Sequence, residues 1–484
     1  MHLDPNHCYA ALKAQDARFD GQFFVGVVTT GIYCRPVCTA RTPRAASCRY
    51  FAQAASAEAA GFRPCLRCRP ELAPGRAPTD AARRVAEQAV ARIEGGALSE
   101  GSLDALAAEF GLSSRQLRRV IEQEYGVSPV ALAQTRRLLL AKQLLTDSRL
   151  GMAEIAFASG FSSVRRFNHL FRSRYGLNPT ALRRRAARAP RVEPAAVTLK
   201  LGYRPPLAWP ALVAFLGSRG AASQERVEGQ RFLRTVRIGE QCGWISARPV
   251  ARSAVIEVAV APSLVAVLTP LRARLRRLFD LDANPAVIAE RLSSDARLAD
   301  LVQQTPGLRV PGALDGFELA LRAILGQQIS VKAASTVFGR FLTTFGEPLV
   351  TPFAGLDRLA PRPESLADAD LQQIIDRGLT RRRAETIRAL ARAVADGGLR
   401  LDPQADPAAT RVALAALPGI GPWTTQYILM RALGLPDALP DGDLGLLRAL
   451  QIERPRDLAA AAQSWRPWRA YAAMYLWHSL GSGG

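Results

Sequence analysis

Between residues 196 and about 270 the apolar positions alternate. Val197-Thr-Leu-Lys-Leu201 and Ala254-Val-Ile-Glu-Val-Ala-Val260 are rich in β-branched residues and place an apolar side chain at every second position, the period of a half-buried strand. From about Leu271 the period lengthens to that of a helix, as at Phe317, Leu321, Ile324 and Leu325. Upstream, one pattern occurs twice. Ala107-Ala-Glu-Phe-Gly-Leu-Ser-Ser-Arg115, closed by Tyr125-Gly-Val-Ser-Pro129, returns as Ala156-Phe-Ala-Ser-Gly-Phe-Ser-Ser163, closed by Tyr175-Gly-Leu-Asn-Pro179. In each copy an apolar helix runs to a glycine that supports a tight turn, and Ser-Ser opens a second helix as its N-cap. Ile155, Phe161, Phe167, Leu170 and Phe171 take core-like spacings in the second copy, leaving Arg165, Arg166, Asn168 and His169 outside. Ser113, Arg115, Gln116 and Arg119 are the corresponding outward residues of the first.

Two proline- and alanine-rich breaks, 73–78 and 186–195, cut this pattern into segments. With the change of period they predict four domains: 1–74, 79–187, 196–275 and 276–484. No run of eighteen apolar residues occurs, which excludes a membrane-spanning helix, and the first residues lack the basic-then-apolar order of a signal peptide. A cytoplasmic protein is expected. Its 64 Lys and Arg against 42 Asp and Glu give a net charge of +22, a field that draws polyanions such as double-stranded DNA.

Six of the seven cysteines lie in the first 68 residues, and Cys242 stands alone. Cys34-Arg-Pro-Val-Cys38 and Cys65-Leu-Arg-Cys68 are two close pairs across a long loop, the spacing of one tetrahedral, four-thiolate site for Zn2+. Taken alone, the pairs allow a purely structural clip. Cys8 and Cys48 read as ordinary cysteines.

Thr29-Thr-Gly-Ile-Tyr-Cys-Arg-Pro-Val-Cys38 and Gly61-Phe-Arg-Pro-Cys-Leu-Arg-Cys68, with Asp20-Gly-Gln-Phe upstream, resemble the amino-terminal domain of the Ada methylphosphotriester-DNA methyltransferases over most of residues 8–72. The resemblance implies that Cys34 accepts a methyl group irreversibly and that Cys34, Cys38, Cys65 and Cys68 hold the zinc. It also implies that methylation acts as a switch for tighter operator binding. Arg35, Arg41 and Arg67 are candidates for phosphate contact, with a merely solvated role the alternative for each. The repeated pair resembles the AraC-type DNA-binding domain over roughly 80–186, which implies recognition helices in the major groove, transcription activation, and RNA polymerase as a further partner. For any one outward side chain, contact with phosphate or solvent alone remains open.

Leu417-Pro-Gly-Ile-Gly-Pro-Trp-Thr-Thr-Gln-Tyr427 has the form of a helix-hairpin-helix, in which Gly419 and Gly421 let the backbone turn and offer amide groups to a phosphate. Leu439-Pro-Asp-Gly-Asp-Leu-Gly-Leu446 follows at the distance expected of a carboxylate that stabilises an oxocarbenium-like transition state. Capping of the next helix is the other reading of these aspartates. The stretch from about Val197 to Leu480 resembles the AlkA family of 3-methyladenine DNA glycosylases II. Leu278-Phe-Asp-Leu-Asp-Ala-Asn-Pro285, Arg322-Ala-Ile-Leu-Gly-Gln-Gln-Ile-Ser-Val331 and Trp465-Arg-Pro-Trp-Arg-Ala-Tyr471 carry that match besides the hairpin.

The AlkA resemblance implies a small antiparallel sheet domain before the helical core. Asp443 becomes the catalytic aspartate, with Asp441 the runner-up. Trp423, Tyr427 and Trp477 become lesion-pocket aromatics, although Trp477 also fits plain core packing. Trp423 stands where lyase-competent relatives carry a nucleophilic lysine, so a monofunctional enzyme is expected. Gln328 occupies the position of the residue that fills the gap left by a flipped base, where many such chains carry leucine. A monovalent cation at the hairpin carbonyls is a further implied ligand. The fold class that results is multidomain and mostly α: a small zinc-bound α/β domain, a tandem helix-turn-helix domain, a small antiparallel α+β domain and a helical helix-hairpin-helix core. A regulator whose second half binds DNA without catalysis is the competing class.

Overall fold

The computed structural model describes residues 4–15, 19, 23–51, 54–68, 70, 78–186 and 196–481. The two proline-rich breaks fall almost wholly outside the described residues, as do the first three residues of the Asp20-Gly-Gln-Phe motif. The chain forms two compact units, Met1–Ile93 with Ala97–Gln134, and Glu94–Gly96 with Thr135–Gly484.

In the first unit a four-stranded sheet runs in the order β3-β1-β2-β4, with β1 at Phe24–Val27, β2 at Ile32–Cys34, β3 at Cys48–Phe51 and β4 at Arg63–Pro64. Successive side chains of a strand point to opposite faces. Phe24 therefore joins Tyr33, Ala57 and Phe62 on one side, while Phe23 and Val25 pack with Cys8, Ala11 and Leu12 on the other. The same unit holds the first helix-turn-helix copy. Its helices, Leu103–Ala108 and Ser114–Tyr125, bury Leu106, Leu117 and Ile121 against Ala86, Ala89 and Ile93.

The second unit contains a five-stranded antiparallel sheet ordered β5-β9-β8-β7-β6. Its strands are β5 (Val197–Gly202), β6 (Glu225–Glu228), β7 (Arg231–Ile238), β8 (Gln241–Pro249) and β9 (Val255–Val260). The alternation in sequence is met by alternating burial in β5 and β9. The helical core follows. Phe317, Leu321, Ile324 and Leu325 are all buried on the helix Gly316–Leu325, and a two-residue strand pair, Glu347–Pro348 with Arg358–Leu359, interrupts the helices. A buried charge network joins sheet to helices: Arg234 binds Glu225 and Glu318, and Arg322 binds the same two carboxylates. Removing one member of such a network costs about 3–5 kcal/mol, because the remaining charges stay buried.

Two features differ from the expected segmentation. The helix Pro129–Asp147 runs on from the first helix-turn-helix copy, and the border between the compact units lies within it. The second copy, with helices Met152–Ala158 and Val164–Tyr175, shares one buried cluster with the sheet: Leu144, Ile155, Phe161 and Phe171 pack in the same core as Val197, Ile256 and Leu264. That cluster also continues past residue 275 through the helix Leu268–Leu278, which turns Leu271, Leu275 and Leu278 inward. No helix among the described residues is long and apolar enough to cross a membrane.

Candidate active sites and DNA-facing surfaces

Parallel pairing of β2 with β4 sets Ile32 beside Arg63 and Tyr33 beside Pro64, so Cys34 and Cys65 leave the same end of the sheet together. Each then turns through two or three residues to its partner cysteine. The Sγ atoms of Cys34, Cys38, Cys65 and Cys68 all lie within 4.8 Å of one another. A tetrahedral zinc site with Zn–S bonds of about 2.3 Å needs sulfur–sulfur separations of roughly 3.8 Å, so this donor set fits Zn2+ closely. Hydrogen bonding to Cys38 and Cys68, then burial, pushes the Cys34 thiol far above its ordinary range, while Cys38 is drawn well below by the thiols that donate to it. Four crowded thiols cannot all ionise unaided, and a dication removes that conflict. Cys38, Cys65 and Cys68 are buried; Cys34 alone of the four is partly exposed.

Of the three arginines expected near phosphate here, Arg41 and Arg67 are exposed. Arg35 is fully buried instead. Its backbone N–H donates to Cys68 Sγ at 3.4 Å and its Nη1 to the Cys68 carbonyl at 3.1 Å. The guanidinium thus braces the second cysteine pair from inside and supplies positive charge to a thiolate-rich site.

On the first recognition helix Ser113 and Gln116 form a capping box: the Gln116 N–H donates to Ser113 Oγ, and the Ser113 N–H donates to Gln116 Oε1 at 2.9 Å. Both are exposed but engaged in capping the start of the helix, and Arg115 and Arg119, with Arg118, are its exposed cations. On the second, Ser163 caps through Arg166 N–H at 3.1 Å. Arg165, Asn168, His169, Arg172 and Ser173 line one shallow trough along that helix, and Arg166 is exposed beside it.

The hairpin joins the helices Pro407–Ala416 and Pro422–Arg431. Gly419 sits at φ +83°, and a Cβ there would stand 2.2 Å from Thr386 Oγ1. Both constraints demand glycine. Gly421 opens the second helix without a side-chain cap, so its first amide groups remain available to an anion. Gly419→Ala is expected to weaken binding to any duplex at least about tenfold and lower the melting temperature by several degrees. Adding Thr386→Ala relieves the clash but not the dihedral strain, so the double variant should recover only part of both losses. Gel-shift titration and thermal melting check this.

Asp443 is the half-buried N-cap of the helix Leu444–Ala449. Capping is only part of its role. Oδ1 accepts the Leu446 N–H at 3.0 Å and the Trp477 indole N–H at 2.9 Å, and Oδ2 accepts the Trp423 indole N–H at 2.8 Å. Three donors fix the orientation of the carboxylate and leave one lone-pair direction open on Oδ2. Trp423 lies parallel to Tyr427, with centroids 5.2 Å apart and an 8° interplanar angle; Trp477 meets Tyr427 at 6.2 Å and 63°. Thus Trp423, Tyr427, Trp477 and Asp443 converge. Asp441 is half-buried two residues away and joins none of these hydrogen bonds.

Further residues meet this group, and their meeting with it is not signalled by the sequence. Phe215, from the helix Trp209–Arg219, stacks on Trp477 at 6.2 Å, and Arg219 lies over the Phe215 ring at 3.6 Å. Burial raises the Tyr427 phenol, but Arg431, whose Nη1 donates to it at 2.7 Å, together with Arg219 draws it below its ordinary range. Gln327, next to Gln328, donates to the Gly419 carbonyl at 3.1 Å and to Thr424 Oγ1 at 3.0 Å, locking its loop to the hairpin. Arg383 donates to the Gln327 carbonyl from outside. Gln328 itself is exposed at φ +59°, beside exposed Ile329.

Four stretches match known family models: the metal-binding domain of Ada at 7–71, a helix-turn-helix domain at 106–185, the AlkA N-terminal domain at 198–315, and the HhH-GPD superfamily of base excision DNA repair proteins at 321–459. The chain is 39% identical over 487 residues to the probable bifunctional transcriptional activator/DNA repair enzyme AlkA of Mycobacterium tuberculosis, covering 99% of this chain and 97% of that one. It is 32% identical to DNA-3-methyladenine glycosylase 2 of Escherichia coli, over 58% of this chain and 97% of that protein. To the Escherichia coli bifunctional transcriptional activator/DNA repair enzyme Ada it is 34% identical, over 28% and 37%. A solved 3-methyladenine DNA-glycosylase from Archaeoglobus fulgidus shares the fold, with a TM-score of 0.51 at 22% identity over 58% of this chain and 97% of that one. Zinc-site cysteines, paired helix-turn-helix copies and a hairpin-plus-aspartate core stand in one order on one chain, matched along nearly its whole length by the mycobacterial protein: the chain belongs to the family of fused Ada/AlkA proteins, bifunctional transcriptional activators and DNA repair enzymes.

Proposed function

We propose that this protein repairs alkylated DNA by two reactions and uses the first as a transcriptional signal. In the amino-terminal domain Cys34, Cys38, Cys65 and Cys68 would hold Zn2+, which would keep the thiols deprotonated and nucleophilic at neutral pH. Cys34, the partly exposed member, attacks the methyl carbon of a DNA methylphosphotriester. An S–CH3 bond forms, the methyl C–O bond breaks, and the phosphate leaves as an ordinary diester anion. The thioether is permanent. Four thiolates on a dication carry a formal charge of −2, and methylation reduces it to −1, which lessens repulsion of nearby phosphates. Operator binding through the helix-turn-helix copies and contact with RNA polymerase belong to the same reading. None of the seven cysteines is joined in a disulfide, which is compatible with a reducing cytoplasm.

In the carboxy-terminal half the hairpin amides grip a phosphate and the damaged nucleotide is turned out of the duplex, with the Gln328 loop at the vacated position. The electron-poor base stacks on the Trp423–Tyr427 face and the Trp477 edge. The C1′–N bond then breaks, its electron pair leaving with the base. Asp443 stabilises the positive charge on the sugar, water adds at C1′ and releases a proton. No amine stands at the Trp423 position, so the strand is left intact.

The observation that carries this reading is the Asp443 carboxylate fixed by two indole N–H groups at an aromatic cage. Release of free 3-methyladenine from methylated duplex, leaving unnicked abasic strands, is the expected result. A protein that binds such duplex and releases nothing would be the regulator without catalysis, and strand scission would overturn the monofunctional assignment.

A further inference from the structure

We infer that the second helix-turn-helix copy is a DNA grip belonging to the glycosylase half, which holds substrate duplex of any sequence while a base is removed. This inference rests on the glycosylase reading above and extends it to a surface outside the excision site.

The first observation is packing. The apolar core of the second copy is continuous with that of the sheet. Ile155, Ala156, Ala158, Phe161, Phe167 and Phe171 are all at most 4% exposed and share one buried cluster with the sheet that precedes the hairpin domain. The helix Met152–Ala158 packs directly on the Pro262–Val267 3₁₀ turn. Polar contacts join the same parts: Gln143 Nε2 donates to the Lys200 carbonyl at 2.8 Å, and Lys200 Nζ pairs with Asp147 at 3.0 Å. A continuous apolar interface of this kind makes two segments move as one body, unlike the polar, sliding contact of independent domains. The recognition helix is therefore a fixed outward surface of the glycosylase unit.

The second observation is charge. The helix Val164–Tyr175 carries four arginines and no acidic residue, whereas the helix Ser114–Tyr125 of the first copy carries three arginines and two glutamates. Arg165, Arg166 and Arg172 are exposed, and none of the three forms an ion pair among the described residues. Unpaired guanidinium groups on one helical face suit phosphate oxygens, whose neutralisation gives affinity without regard to sequence. The two copies thus differ in kind, and the more basic one shares a core with the catalytic half.

The test uses the full chain and a long methylated duplex of arbitrary sequence, with base release followed against potassium chloride concentration. The variant Arg165→Ala/Arg166→Ala/Arg172→Ala is expected to raise the half-saturating protein concentration roughly tenfold or more. It should also flatten the salt dependence by about two to three logarithmic units per decade, one for each lost phosphate contact. The single-turnover rate at saturation and the melting temperature report that the excision site and the fold survive. The triple lysine variant at the same positions should restore most of the affinity, since a sequence-tolerant grip needs charge and reach rather than a planar fork. Excision by wild type with an unchanged half-saturation in the alanine variant would overturn the inference alone. Failure of lysine to rescue would overturn it in favour of base-specific reading. Absence of base release by wild type would take down the glycosylase reading, and this inference with it.

Discussion

Asp443→Asn is expected to slow release of 3-methyladenine from duplex DNA by at least about a thousandfold, while binding to undamaged duplex changes less than about twofold. Asparagine is nearly as good an N-cap as aspartate, so the helix Leu444–Ala449 should keep its start. What it lacks is the charge that opposes the developing oxocarbenium ion, an electrostatic contribution of several kcal/mol in a water-poor pocket. The amide also creates a conflict. Trp423 and Trp477 both present N–H donors to the carboxylate, one to each oxygen. An amide has only one acceptor side, so one indole must face an NH2 group. Single-turnover base release by wild type and variant at saturating protein decides the matter. Retention of more than a tenth of the wild-type rate would remove Asp443 from its central place and turn attention to Asp441.

Cys34→Ser is expected to abolish covalent uptake of methyl from methylphosphotriester DNA, with base release by the other half left intact. Peptide mass spectrometry of the wild-type protein after exposure to such DNA should find one added methyl, on the Cys34 peptide alone. The residue around this sulfur is packed differently from its three neighbours. As whole residues Cys38, Cys65 and Cys68 are buried and Cys34 is only partly so, and Cys68 Sγ already accepts the Arg35 N–H. Exposure decides which thiolate an in-line attack can use. Methyl on another cysteine would reassign the acceptor. Zinc bound with no methyl uptake would leave the site as a structural clip.

The chemistry of both sites is legible in the sequence because it is written in short range. Two cysteine pairs, one hairpin and one aspartate twenty residues beyond Trp423 each carry their spacing in the chain. What is not legible comes from elsewhere. Phe215 reaches the Trp477 ring from a helix more than two hundred residues upstream, and nothing in its own surroundings signals that meeting. Gln327 reads as a mere neighbour of Gln328, yet it is the one that ties the loop to the hairpin. Arg35 reads as an outward residue because arginine is seldom fully buried; the backbone carbonyl and sulfur that receive it are invisible in one dimension. The repeat itself is plain, but its two copies look alike in sequence while their cores do not. Apolar periodicity shows that a face is buried and leaves unsaid what buries it.

The border within the helix Pro129–Asp147 governs how chains of this kind can be recombined. Swapping the whole helix-turn-helix pair between relatives, with joints in the two proline-rich stretches, would replace the helix that covers the Pro262–Val267 turn by one shaped for another sheet. The mismatch would expose apolar surface and favour aggregation of the chimaera. A joint in mid-helix near Gln134 keeps each buried cluster with its own partners, so the exchangeable unit in this lineage is the zinc domain together with only the first of the two repeats.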